Sequence, residues 1–285
     1  MELIYGKDVA KIITDSVIGK SEELERQGER EAKLAIIRVG DNAGNISYER
    51  GAGKRMEKCG ILHEEYDFPD NVSKVEFDKA FNKINADETV DGILLLRPLP
   101  SQLDEKNVVT RINPDKDVDC ANPLNLGKLL TGAKDGFSPC TCLAVERVLK
   151  FILEARGDSL RGKNVTIVGR SAVVGRPLAL LLINDDATVT VCHTKTENLA
   201  GCCKKADIIV AAAGHAGLIT ADHVKPGAII ADVGVNMGVD GKLVGDVDIE
   251  SVNDIASVCT PVPGGIGAVT TSILAMQVMK ARIKR

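Results

Sequence analysis

The chain has 285 residues, enough for two domains, because single hydrophobic cores usually stop growing within roughly 100–200 residues. With 36 Lys and Arg against 40 Asp and Glu, the net charge is −4, and no aromatic-interleaved basic patch appears, so a nucleic-acid partner is not expected. Aromatics make up only 3% of the residues and Trp is absent, so Val, Ile, Leu and Ala must fill the cores, as suits buried parallel sheets.

Apolar residues Val9, Ile12, Ile13 and Val17 form a helical stripe within Gly6–Gln27. Lys33–Val39 reads as a short buried strand, Asn45–Cys59 as a helix ended by Gly60, and Ile61–Tyr66 as a second strand. Ser73–Asn85 reads as a helix with Ser73 as N-cap, and Asp91–Arg97 as a buried strand stopped by Pro98 and Pro100. A loop rich in Pro, Asp and Asn runs from Asn113 to Asn125. Two helices, Leu124–Leu130 and Thr141–Ala155, follow it as a joint between domains.

A second α/β series then begins with strand Asn164–Val168, a glycine-bearing loop and a helix over Arg176–Ile183. Further strands are expected at Thr188–Cys192, Asp207–Ala212, Ala228–Val233 and Ala256–Cys259. A small hairpin between Val235 and Val244 would turn at Asp240-Gly241. The final helix, Ala268–Ala281, is apolar and is expected to pack back on the first domain. This alternation predicts two α/β domains: residues 1–138 with 268–285, and residues 139–267.

The eight cysteines (Cys59, Cys120, Cys140, Cys142, Cys192, Cys202, Cys203 and Cys259) lie scattered in element-like segments without C-x-x-C spacing. They read as small buried hydrophobes of a reducing cytoplasm, and no metal site is expected. The N-terminus opens into polar, helical sequence and no apolar run approaches roughly 18 residues, so neither a signal peptide nor a membrane span is expected.

The chemistry concentrates first in Gly169-Arg170-Ser171-Ala172-Val173-Val174-Gly175-Arg176-Pro177. Strand, glycine turn and helix start together place a pyrophosphate on backbone N–H groups at the positive end of a helix. The spacing is not G-x-G-x-x-G, and a tight turn needing glycine is the plainer reading of this loop alone. The end of the next strand sharpens the choice. A site for NAD would show an Asp or Glu there, whereas this chain has Cys192-His193-Thr194-Lys195-Thr196. Hydroxyls and cations in that place, with Arg170 after the first strand, favour NADP; the bland reading is a solvated strand end.

Three blocks carry a resemblance that covers essentially the whole chain: Pro114-Asp115-Lys116-Asp117-Val118-Asp119, the Gly169–Pro177 loop, and Thr260-Pro261-Val262-Pro263-Gly264-Gly265-Ile266-Gly267. In order and spacing they resemble the bifunctional methylenetetrahydrofolate dehydrogenase/methenyltetrahydrofolate cyclohydrolases. The resemblance implies two α/β domains flanking a cleft, the C-terminal one a Rossmann-like parallel sheet, in a cytoplasmic homodimer. It also implies NADP as cofactor and a tetrahydrofolate as substrate. Tyr48 looks like the tyrosine that stacks on the folate, Asp119 like the acid that bonds the pterin, and Pro263, Gly264 and Gly265 like the folate-side wall. On the nucleotide side it points to Gly169, Arg170, Ser171, Val174, Gly175, Arg176, Pro177, His193, Thr194 and Gly234.

The chain also departs from the family pattern. Four residues after Tyr48, where the family has a Lys serving the cyclohydrolase step, stands Ala52. Lys54 is the nearest substitute, but two residues along a helix is a rotation of about 200°. The Gln that pairs with that Lys is replaced by Leu96, and Arg97 should point to the opposite face of the strand. Cys142 and Ala144 replace a Thr-Pro-x-Gly pattern, and Ala268-Val269 a common Pro-Met. Hydride transfer from the methylene carbon moves no proton and needs positioning and tolerance of developing positive charge. Hydrolysis of the methenyl product needs proton transfers that gain about 10²–10⁴-fold from a placed acid–base group. The expectation is therefore a dehydrogenase with weak or absent cyclohydrolase activity. The alternatives are a fully bifunctional enzyme using Lys54, Arg97 or water, a different oxidoreductase on the same plan, and a non-catalytic folate- or nucleotide-binding protein. His63, His193, His215 and His223 form no proton relay that would support the different oxidoreductase.

Overall fold

The computed structural model describes residues 1–238 and 241–284. In chain order its first elements are β1 (Glu2–Leu3), α1 (Lys7–Arg26), β2 (Lys33–Val39), α2 (Ala43–Lys58), β3 (Leu62–Phe68), α3 (Lys74–Ala86) and β4 (Gly92–Leu95). Then come α4 (Glu105–Arg111), α5 (Pro123–Leu130), α6 (Cys140–Glu154), β5 (Asn164–Val168), α7 (Gly175–Asn184), β6 (Thr188–Cys192) and α8 (Leu199–Cys203). The chain closes with β7 (Ile208–Ala211), β8 (Ile229–Asp232), β9 (Asn236–Met237), β10 (Leu243–Val244), α9 (Ile249–Val252), β11 (Val258–Cys259) and α10 (Thr270–Ile283).

Two compact units result: Lys11–Cys140 with Thr271–Arg285, and Met1–Ala10 with Thr141–Thr270. The first holds a three-stranded parallel sheet in the order β3-β2-β4. Central β2 is buried along almost its whole length, which requires apolar side chains on both faces, and KLAIIRV supplies them. Edge strand β3 has only half-buried and exposed residues. Ser73 caps α3 by accepting the Glu76 N–H at 3.2 Å, so that Phe77, Phe81 and Ile84 enter a core with Ile37, Val39, Ile93 and Leu95. Burying each of those phenylalanines contributes about 1.5–3 kcal/mol. Helix α2 starts at Asn42, whose side chain accepts the Asn45 N–H, and runs unbroken through Gly51 and Gly53.

The second unit is a six-stranded sheet in the order β1-β11-β8-β7-β5-β6, every pair parallel. From β5 the chain goes to β6 on one side and then returns to β7 on the other. The strand order thus reverses at the C-terminal ends of β5 and β7, where open α/β sheets bind ligands. Strands β7 and β8 are wholly buried.

The compact units divide the chain at other points than the expected boundaries. Residues 1–10 belong to the six-stranded unit, because β1 adds to that sheet by pairing with β11, Glu2 opposite Val258 and Leu3 opposite Cys259. The other divisions fall at 140/141 and 270/271 instead of 138/139 and 267/268. A two-residue strand carries no periodicity, so it left no sequence signal. Helices α4 and α8, also missed, are five to seven residues long and too short to show one. The expected hairpin is the antiparallel β9–β10 pair; Asp240 of its turn lies outside the described residues. No helix among the described residues is long and apolar enough to cross a membrane.

Candidate active site

The loop between β5 and α7 is shaped by contacts that exclude side chains. Gly169 has φ +137°, and a Cβ there would lie 2.1 Å from the Ala212 carbonyl oxygen. A Cβ on Gly175 would lie 2.1 Å from the Gly169 carbonyl oxygen, so the two glycines are each other's steric requirement despite their unusual spacing. The Ser171 hydroxyl accepts the N–H groups of Val174 (3.1 Å) and Gly175 (3.4 Å) at the start of α7. Cys142 lies beneath, its thiol donating to the carbonyls of Val173 and Val174 at 3.7 and 3.4 Å. Cys142 thus anchors the loop.

Arg170, Ser171 and Arg176 are exposed, while Pro177 is buried in the first turn of α7, where its missing N–H costs nothing. Strand register sets Val168 opposite Cys192, which puts Arg170 and His193 just beyond neighbouring strand ends. His193 is fixed by a small turn: its N–H donates to the Thr196 hydroxyl and its Nδ1 accepts the Lys195 N–H at 3.1 Å. Thr194 and Lys195 are exposed. A glycine turn that lets backbone approach closely at the start of α7, with cations at the β6 end, fits the diphosphate and 2′-phosphate of NADP.

Gly234, Pro263, Gly264 and Gly265 come together in the same unit, lining a cavity of about 360 Å³ with Asp232 and Thr270. The glycine loop is packed against the N-terminal segment: the Gly6 N–H donates to the Gly264 carbonyl at 2.9 Å, and a Cβ on Gly6 would lie 2.3 Å from the Gly265 oxygen.

Tyr48 and Asp119 lie in the other unit, both half-buried. The Pro114–Asp119 block proves to be a scaffold for its last residue. Lys116, buried, donates to the carbonyls of Asn85 and Asp87 at 2.8 and 2.6 Å, neutralising the C-terminal end of α3. Asp117 accepts the N–H groups of Ala121 and Asn122 and the Asn125 amide, yet burial still pushes its carboxyl up to about 6. Asp119 accepts the Cys140 N–H at 3.1 Å; burial raises its pKa, opposed by that hydrogen bond and by the Arg97 charge. The Gln277 amide on α10 donates to the carbonyls of Val118 and Ser138, clamping both sides of Asp119. Sequence reading missed Gln277, since a single polar residue in an apolar helix was its only sign.

Ala52 is fully buried and Leu96 nearly so, while Lys54 is exposed. The unbroken helix keeps Lys54 rotated away from the buried face, so the glycines do not re-aim it. One carboxylate group of three, Glu49, Glu65 and Asp67, clusters within 4.8 Å. Arg38 already supplies its positive charge, pairing with Glu49 and Asp67 at 2.7 Å each.

A Rossmann-like unit with this loop, beside a second α/β unit carrying Tyr48 and Asp119, defines a two-unit protein of the NAD(P)-binding class. The chain belongs to the tetrahydrofolate dehydrogenase/cyclohydrolase family: residues 139–285 match its NAD(P)-binding domain and residues 4–119 its catalytic domain. It is 45% identical to the bifunctional protein FolD of Alkaliphilus metalliredigens, over 98% of this chain and 97% of that one. The bifunctional FolD structure from Campylobacter jejuni is 40% identical, with a TM-score of 0.93 over 100% of both chains. The Trypanosoma brucei FolD structure, complexed with NADP cofactor and inhibitor, is 34% identical, with a TM-score of 0.89 over 99% and 98% of the two chains. The bifunctional names do not support the expectation of weak or absent cyclohydrolase activity; they favour the bifunctional alternative.

Proposed function

We propose that this chain oxidises 5,10-methylenetetrahydrofolate to 5,10-methenyltetrahydrofolate with NADP⁺ and also hydrolyses the methenyl product, as the names of its relatives state of those proteins. The observation that carries the dehydrogenase reading is the Gly169–Gly175 loop at the sheet's switch point, beside a β6 end without a carboxylate. NADP⁺, when bound, supplies the hydride acceptor. Backbone N–H groups of the loop hold its diphosphate, and Arg170, His193 and Lys195 face its 2′-phosphate. Gly234 and the Pro263–Gly265 loop give a backbone-walled cavity that a flat ring can approach closely.

On the folate side, Tyr48 offers a half-buried ring for stacking and Asp119 an acceptor for pterin N–H groups. The raised pKa of Asp119 is a cost of burial that a hydrogen-bonding, partly cationic ligand would relieve. Proton transfer in hydrolysis cannot come from Ala52 or Leu96. Arg97, whose charge acts on Asp119, orders water there in this reading, ahead of exposed Lys54. The apolar, buried side chains at 52 and 96 favour a second reading, a dehydrogenase without useful hydrolysis. The family resemblance supports a cytoplasmic homodimer as the working form, which light scattering of the purified chain tests.

The reading is tested by incubating the purified chain with methylenetetrahydrofolate and either NADP⁺ or NAD⁺. Reduction with NADP⁺ preferred supports it. Nucleotide binding without reduction would leave a non-catalytic binding protein.

A further inference from the structure

At the C-terminal ends of β7 and β8, two buried aspartates gather backbone donors from separate loops. Asp246, fully buried after β10, accepts the N–H groups of Ala213 (2.6 Å), Gly214 (2.9 Å) and His215 (2.9 Å), and the Asn236 side-chain amide (2.9 Å). Asp232, at the end of β8, accepts the N–H groups of Gly234, Asp246 and Val247, each at 3.0 Å. The glycines beside them are dictated by these carboxylates: a Cβ on Gly234 would lie 2.1 Å from Asp246 Oδ1, and one on Gly245 would lie 1.8 Å from Asp232 Oδ2. Short side chains with three or four donors each leave the loops after β7 and β8 one conformation.

We propose that Asp246 is a positioning residue for the nucleotide: without touching it, the carboxylate sets the 213–215 and 234–236 loops that form the nicotinamide end of the site. The 213–215 loop follows Ala212, whose carbonyl packs on Gly169, and Gly234 lines the cavity walled by Pro263–Gly265. Asp246 thereby couples the diphosphate loop to the ring pocket. This inference rests on the NADP reading above. An aspartate needed only for folding would affect every ligand alike through the folded fraction. A positioning aspartate acts on the nucleotide selectively.

The test is NADP⁺ binding by calorimetry, with steady-state kinetics, for the wild type, Asp246→Asn and Asn236→Ala. Asparagine keeps the shape but points a donor NH₂ at backbone donors, so the loops must part. Asp246→Asn is expected to weaken NADP⁺ binding and raise its KM by about tenfold or more, with the KM for methylenetetrahydrofolate within about threefold of wild type. Asn236→Ala removes one of the four donors and is expected to move the same constants by about two- to threefold. If Asp246→Asn does not fold, the Asn236→Ala result alone decides. Unchanged NADP⁺ affinity in the folded variants, or an equal rise in both KM values, overturns the proposal while leaving the NADP reading intact. Failure of the wild type to bind NADP⁺ overturns both.

Discussion

The two units hold their functional loops by partly different means. In the nucleotide unit, short aspartates reach backbone N–H groups directly, and glycines make room for them. In the folate-side unit the loop bearing Asp119 uses one such aspartate, Asp117, and adds long side chains, Lys116 and Gln277, which donate to carbonyls. The first arrangement makes backbone the binding surface and tolerates almost no added atom. The second leaves the functional positions to side chains, which can be exchanged without refolding the loop.

Adding one methyl group to the nucleotide loop should have the largest effect. Gly175→Ala drives a Cβ into the Gly169 carbonyl, and NADP⁺-dependent turnover is expected to fall by about 100-fold or more. Near-normal turnover would show that the loop is not the binding surface. On the folate side, Arg38→Met leaves Glu49 buried without its partner and is expected to cost about 3–5 kcal/mol in a denaturant titration. Adding Glu49→Leu should recover most of that loss; no recovery would mean that the Arg38 stem, and not its charge, is the stabilising part.

Smaller effects sharpen the contrast. Asp119→Asn should raise the KM for methylenetetrahydrofolate by about tenfold and leave the KM for NADP⁺ unchanged, the mirror image of Asp246→Asn. Asp117 and Asp232, one in each unit, are both pushed up to about 6 by burial, above the ordinary 3.8. As pH falls from about 6 to about 4, the folded chain takes up protons that the unfolded chain does not. Their contribution to stability is therefore full below about 4 and lost as pH rises through 6. Replacing either with Asn should flatten that slope in melts across the window, and parallel wild-type and variant curves would contradict the shift.

Much of this was legible in the sequence, for identifiable reasons. Strand β5 falls on the expected residues because a buried parallel strand writes a nearly continuous apolar run, and edge strand β6 because Thr and Val alternate along it as β-branched residues do. The Ser73 cap and the Gly169 turn were readable because each depends on one residue type in one conformation. Strand β1 was not, since its place comes from pairing with a strand more than 250 residues away. Nor was the Asp232–Asp246 cradle: its donors are backbone groups, which have no letter in a sequence. At Ala52 and Leu96 the identities were plain, while the charge that Arg97 exerts on Asp119, 22 residues further along, is brought about by the fold.

The most direct measurement is a paired assay on one purified sample, following NADPH formation from methylenetetrahydrofolate and decay of methenyltetrahydrofolate above the buffer rate. NADP⁺-dependent oxidation is expected together with catalysed hydrolysis that Arg97→Met abolishes and Lys54→Met spares. Oxidation with hydrolysis at the buffer rate, restored by Ala52→Lys with Leu96→Gln, would contradict the bifunctional reading and mark those two positions as the site of a lost activity.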